Sequence, residues 1–336
     1  MTENRNLIQI ESIAIYPLDI ELENPFKIAT MSIDRAENVL ISIRASNGLI
    51  GWGEGSPFRS IVGETRETCL AAAIEIRPIW LGKNPLAYQQ RIAELDAHLP
   101  YNPTIRSAFD MALFDLCAQT AGMPLYAFLG GEKRVLDTDL TIGIGKLDEI
   151  AVKARRIVER GFKKIKTKVG LNKAEDLKRV QIIREATSPD VKIRIDANQG
   201  WDRVTAVEIL KAMEPLGIEF CEQPVKRYDL EGMRYISKRT SIPIMADETV
   251  FSPVDAMRVV ETKAAPLINI KLSKSGGILN GMRIAHIAQA NYLTCMVGCM
   301  SESVLGNTAF AHFAMAMPVV KYFDLDANEG HINEPF

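Results

Sequence analysis

Apolar and polar residues follow two different rhythms along this chain, and the change falls near residue 130. Before it, IESIAIYPLDI, AENVLISIRA and GLIGWGE are strand-like, and Ser46, Asn47 and Gly48 supply a turn between the last two. These runs predict an antiparallel meander. Helical spacing follows around 65–82, 86–97 and 104–121, the third segment stopped by Gly122 and Pro124. Strands succeeded by helices predict a compact α+β domain over residues 1–130.

Beyond it, strand-like runs recur at 139–144, 163–169, 191–196, 217–222, 242–247, 267–272, 293–297 and 320–325. Helix-length segments such as KLDEIAVKARRIVERG and GILNGMRIAHIAQAN separate them, with apolar residues three and four apart. Eight such units predict a parallel (β/α) barrel over 131–336, the α+β domain standing before it as a separate unit. An open doubly wound sheet is the competing layout. It loses support because no G-x-G-x-x-G follows the first strand and no G-x-x-x-x-G-K occurs.

The ends of these strands carry the chemistry. Asp196 in KIRIDAN, Glu222 in IEFCEQP and Asp247 in IPIMADE are 26 and 25 residues apart, one strand plus one helix each. Lys166 and Lys168 in IKTKVG precede Asp196 by 30 and 28 residues, and Lys271 in INIKLS follows Asp247 by 24. A lone carboxylate at a strand end is as readily a helix cap or a surface acid. Three at matched ends form a cluster of oxygen donors with no histidine or cysteine beside them, which suits Mg²⁺; a substrate carboxylate and water would complete its shell. Zinc would call for nitrogen or sulfur. Barrel strands bury both faces, so the strand lysines are expected to be desolvated. Two ammonium groups at i and i+2 repel, and one is expected to lose its proton more readily than a free lysine and to act as a base. Asp324 and Asp326, in KYFDLDANEG at the end of the eighth strand, share a face. A lone D-x-D reads by default as a calcium ligand or a surface pair, but opposite a metal site it can receive a substrate cation such as an ammonium group. In LSKSGGI, Gly276 and Gly277 fit either a phosphate cradle or a simple helix entry.

Composition narrows the partners. Forty basic and 42 acidic residues nearly cancel, without a Lys/Arg block, so nucleic acid is not an expected partner. No apolar leader or span of 18 apolar residues occurs, so no membrane association is expected. The cysteines, Cys69, Cys117, Cys221, Cys295 and Cys299, are odd in number and read as reduced core thiols of a cytoplasmic protein. His98, His286, His312 and His331 all fall away from the barrel strand ends, leaving acid-base work to lysine. A homo-oligomer is left open.

The set Lys166, Lys168, Asp196, Glu222, Asp247 and Lys271, with IRIDANQGW, CEQPV, PIMADE, NIKLSKSGGI and CMVGCMSES, resembles the enolase superfamily in its muconate lactonizing enzyme subgroup. PFKIAT and GWGEGSPF are similar to that subgroup's capping domain, so the likeness covers nearly the whole chain. DLDANEG narrows it to the dipeptide epimerases. The resemblance implies a dipeptide whose C-terminal carboxylate chelates Mg²⁺ on Asp196, Glu222 and Asp247. Lys168 and Lys271 would exchange the α-proton on opposite faces, with Lys166 holding the carboxylate and depressing the pKa of Lys168. Thr141, Cys299, Met300 and Ser301 would contact substrate, and Asp324 and Asp326 would bind its α-ammonium group.

Two departures bear on specificity and closure. Family members acting on Ala-Glu carry an arginine in the capping loop, where PFKIATMSI has Met31. With Phe58 and Ile61 this favours an apolar second residue after a small first one, Ala-Glu being the alternative because Arg59 shares the loop. The chain also stops at HINEPF, where the family pattern continues back to the cap, implying a truncated chain or a cap closed differently. Within the superfamily, L-Ala-D/L-Glu epimerase, o-succinylbenzoate synthase, N-acylamino acid racemase and muconate cycloisomerase remain alternatives. In another class stands a non-catalytic, metal- or phosphate-dependent binding barrel.

Overall fold

The computed structural model describes residues 8–336. Three strands open it: β1 (Ile10–Lys27), β2 (Ser32–Ala45) and β3 (Ile50–Gly55). They pair antiparallel as the meander predicted. β1 runs past the expected Ile20, as a ribbon with β2 whose register shifts between Glu21 and Phe26. The polar run ELENPFK hides this extension, because a two-stranded ribbon outside the core needs no apolar face.

The second sheet holds eight parallel strands: β4 (Leu140–Ile142), β5 (Lys164–Lys168), β6 (Lys192–Asp196), β7 (Ile218–Glu222), β8 (Ile244–Ala246), β9 (Leu267–Ile270), β10 (Thr294–Val297) and β11 (Val320–Phe323). They stand in sequence order, each inside its predicted run and helices lying between them. Among the described residues no ladder joins the end strands β4 and β11. The sheet curls until the Asp139 N–H donates to the Phe323 carbonyl at 3.4 Å. Ile193, Ile195, Ile244, Ile268 and Ile270 are wholly buried, as a curled parallel sheet under helices requires. None of the described helices is long and apolar enough to cross a membrane.

The tail does return to the cap. Strand β12 (His331–Ile332) pairs antiparallel with β1 through Glu21↔Ile332 and Leu22↔His331, so a two-residue strand makes the closure.

GWGEG in β3 is a contact device. Its alternate glycines face the helix Pro103–Thr120, and a Cβ on Gly51 or Gly53 would come within 2.0 Å of the Ala112 or Ala108 carbonyl oxygen. Strand period two thus meets helix positions four apart, main chain against main chain. Gly53→Ala is expected to cost about 1–3 kcal/mol or more, since its obstacle is backbone, not a pliable side chain. Urea unfolding checks this; an unchanged midpoint would mean that β3 can lift off the helix. From the opposite side of that helix, Asp110 accepts the Ile278 N–H at the start of the barrel helix Ile278–Ala290. One helix therefore joins cap to barrel.

Candidate active site

The predicted residues converge on the rim at the C-terminal strand ends. Lys168, Asp196 and Glu222 are the last residues of β5, β6 and β7, while Asp247, Lys271 and Asp324 directly follow β8, β9 and β11. Lys166 Nζ stands 2.7 Å from Glu222 Oε2, 2.7 Å from Asp324 Oδ2 and 3.2 Å from Asp196 Oδ2. Lys168 Nζ donates to Asp196 Oδ2 at 2.6 Å, and Lys271 Nζ lies 2.9 Å from Asp247 Oδ2. Because β6, β7 and β8 lie between β5 and β9, Lys168 and Lys271 flank the carboxylates from opposite sides.

The donor set fits a hard divalent cation. Asp196, Glu222 and Asp247, all fully buried, bring one carboxylate oxygen each within 4.8 Å of the others. Glu222 Oε2 and both Asp247 oxygens accept no hydrogen bond, though lysine nitrogens stand within ion-pair distance of each. Charged oxygens gathered in a dry site and balanced by lysine ammonium groups are suited to bind Mg²⁺.

Electrostatics set the state of two of the lysines. Burial acts to lower the pKa of Lys166, but the carboxylates of Asp324, Glu222, Asp196 and Asp139 outweigh it and hold the pKa well above the ordinary lysine value. Lys271 is raised in the same way, burial being overcome chiefly by Asp247. Repulsion between neighbouring lysines is therefore not the controlling influence while the carboxylates face them directly. A divalent cation on those carboxylates would take up their charge and release the lysines from it. Glu222 is pushed up to about 7 by burial and then by Asp196, as expected of crowded carboxylates.

Several supporting residues escaped the sequence reading. Asn269 Nδ2 donates to Glu222 Oε1 at 2.7 Å, and the Asn198 N–H donates to Asp196 Oδ1 at 2.9 Å. Gln223 Oε1 accepts the N–H groups of Asp247 and Thr249 at 3.0 and 3.1 Å. Asn198 and Gln223 have φ of 40° and 36°, left-handed backbone just beyond two carboxylates, where such tension is typical of a working site. Lys274 is fully buried, with Nζ 2.8 Å from Asp247 Oδ1 and 3.0 Å from the Asn269 carbonyl. Strand alternation back from Lys271 would have pointed Asn269 inward. Lys274 had no such signal, because it lies past the strand in the LSKSGG turn.

The substrate-contact candidates split into two groups. Thr141, Met300, Ser301 and Asp326 line a cavity of about 520 Å³ between the β1–β2 ribbon and the first barrel strand. The cavity opens beside the lysine–carboxylate centre, whose lysines and three clustered carboxylates are not among its lining residues. Asp326 Oδ2 accepts the Thr141 N–H at 2.7 Å, and Cys299 Sγ is 3.8 Å from Asp326 Oδ1. Burial and then Asp324 push Asp326 up to about 7, and burial and these aspartates push the Cys299 thiol well above its ordinary value. All five cysteines are buried and unpaired. Met31 and Phe58 belong instead to an apolar cluster above the rim, with Ile28, Ile61, Phe251 and Met300. Met300 links the two groups. Its loop is held to the cap by Asn38 Nδ2 on the Ser301 carbonyl at 2.8 Å and by Glu54, which accepts the Ser303 N–H at 2.9 Å.

A barrel with lysines and carboxylates on its C-terminal rim, overhung by an antiparallel cap, defines a class of barrel enzyme in which loop changes retune one centre. The chain belongs to the enolase superfamily: residues 11–130 match the "Mandelate racemase / muconate lactonizing enzyme, N-terminal domain" and 149–335 match "Enolase C-terminal domain-like". It is 40% identical over 318 residues to the D-Ala-D/L-Ala epimerase of Cytophaga hutchinsonii, spanning 94% of this chain and 86% of that one. It is also 40% identical to the L-Ala-D/L-Glu epimerase of Bacillus subtilis, spanning 96% and 88%. Among solved structures, the dipeptide epimerase from Enterococcus faecalis complexed with Mg and L-Leu-L-Tyr superposes with a TM-score of 0.96 at 38% identity, covering 97% of this chain and 93% of that one.

Proposed function

We propose that this protein is an isomerase, a Mg²⁺-dependent dipeptide epimerase that inverts the α-carbon of the C-terminal residue by a 1,1-proton transfer. The observation that carries this reading is the pair Lys168 and Lys271, flanking three buried carboxylates that bring one oxygen each within 4.8 Å of the others. Asp196, Glu222 and Asp247 would hold the ion, which when bound supplies the positive charge that makes the α-proton of a chelated carboxylate removable. One lysine takes the proton from the α-carbon and the other returns a proton on the opposite face. Lys166 holds the substrate carboxylate. Asp324 and Asp326 receive the α-ammonium group, with Thr141 and the Cys299–Ser301 loop beside it. That pair disfavours N-acylamino acid, o-succinylbenzoate and muconate substrates, which bring no ammonium. The cap is taken as residues 1–130 and the barrel as 131–336.

The second residue is read as apolar. Phe58, Ile61, Ile28, Met31, Phe251 and Met300 form one apolar cluster over the rim, whereas Arg59 is exposed to solvent. A carboxylate side chain among these groups would lose its water, and the cation beside them, Arg227, is already engaged with the Ile61 carbonyl at 3.2 Å and with the Phe251 ring. The 520 Å³ beside Asp326 has room for more than a small first residue, so the proposal is confined to the second.

The test is turnover of dipeptides in D₂O with Mg²⁺. Deuterium should enter the α-position of the C-terminal residue, and kcat/KM for Ala-Leu and Ala-Phe should exceed that for Ala-Glu. Absence of exchange from any dipeptide would leave a binding barrel. A preference for Ala-Glu that vanishes in Arg59→Ala would overturn the apolar reading.

A further inference from the structure

The two aspartates assigned to the ammonium group sit on the one barrel seam without a backbone ladder. Side chains close that seam. Arg194 on β6 is wholly buried inside the barrel, and its Nη1 donates both to Asp139 Oδ2 at 2.7 Å and to the Phe323 carbonyl at 2.9 Å. One nitrogen thus bridges the segment entering the first strand and the end of the last. Its Nε donates to Glu219 Oε2 at 2.6 Å, and its guanidinium lies over the rings of Phe220 and Tyr322 at 5.1 and 5.4 Å. Two residues past Phe323, the Leu325 N–H donates to Thr138 Oγ1 at 2.9 Å. Asp324 lies between these two fastenings and Asp326 directly after them.

We propose that Arg194 is a positioning residue for ammonium recognition, acting through the Phe323 carbonyl to place Asp324 and Asp326, the second of which lines the cavity. This rests on the epimerase reading above. Among the described residues the seam is fastened by Arg194, by Thr138, by the weak 3.4 Å backbone bond and by the Thr141 N–H on Asp326 Oδ2 at 2.7 Å, with no ladder between β11 and β4. A strand held by a ladder keeps its register whatever side chains it bears. β11 has its ladder with β10 alone, so on the seam side the placement of the recognition pair leans on a planar fork reaching several partners in fixed directions, which a lysine ammonium cannot reproduce.

The experiment compares Arg194→Lys and Thr138→Val with wild type on a free dipeptide and its N-acetyl counterpart. Wild type should strongly prefer the free form. In Arg194→Lys the KM for the free dipeptide should rise by about tenfold, the scale of one charge-assisted contact, with a smaller fall in kcat, and the preference should shrink in proportion. Thr138→Val, nearly isosteric, should shift the same way by a smaller factor and decides the matter if Arg194→Lys does not fold. A merely structural role would reduce active protein, lowering kcat for both substrates while leaving KM and the preference unchanged; that result overturns the proposal. Failure of wild type to discriminate free from acetylated dipeptide would instead remove the ammonium assignment on which it stands.

Discussion

Lys271→Ala is expected to stop α-proton exchange from one epimer of a dipeptide while leaving it measurable from the other, and Lys168→Ala to do the reverse. Each loss should be about 10²-fold or more, the usual worth of a positioned general base. The asymmetry follows from geometry, since the two nitrogens approach the carboxylates from strands on opposite sides of β6, β7 and β8. Neither substitution strands a charge: Asp247 keeps Lys274 at 2.8 Å, and Asp196 keeps Lys166 at 3.2 Å. The variants should therefore fold, and exchange into each epimer in D₂O can be read cleanly by NMR. Equal, mild losses from both epimers in both variants would defeat the two-base assignment.

Removal of the metal should have a comparable effect. A chelator is expected to abolish turnover and added Mg²⁺ to restore it. Asp247→Asn, Asp196→Asn and Glu222→Gln should each weaken Mg²⁺ binding by calorimetry at least about tenfold, the lower bound seen when only an outer partner of a ligand is lost. Full activity after chelation, or unaltered affinity in all three variants, would refute the assignment of these carboxylates.

Much of this centre was legible because strand periodicity and a recurring βα length are local properties. Asp196, Glu222, Asp247, Lys168 and Lys271 could be put on one rim without knowing a single contact. What stayed hidden depends on chain segments that are distant in sequence. Lys166 meets Asp324 across 158 residues, and the Arg194 bridge crosses a seam that no periodicity announces. For the same reason the contact of Asp324 with Lys166 could not be weighed against the repulsion visible in IKTK. The ribbon extension of β1 was missed for the opposite cause, since a solvated two-stranded ribbon carries no apolar signature.

The glycines of β3 have a consequence for how such a protein changes over generations. Where main chain rests on main chain, there is no side-chain volume to alter, so the spacing between cap sheet and cap helix is insulated from mutation elsewhere. The loops bearing Met31 and Phe58 project from that insulated frame. They can exchange one side chain for another without tilting the cap on the barrel or disturbing the lysines below. Innovation in substrate choice and preservation of the proton chemistry are thus uncoupled by a contact that contributes nothing to either directly.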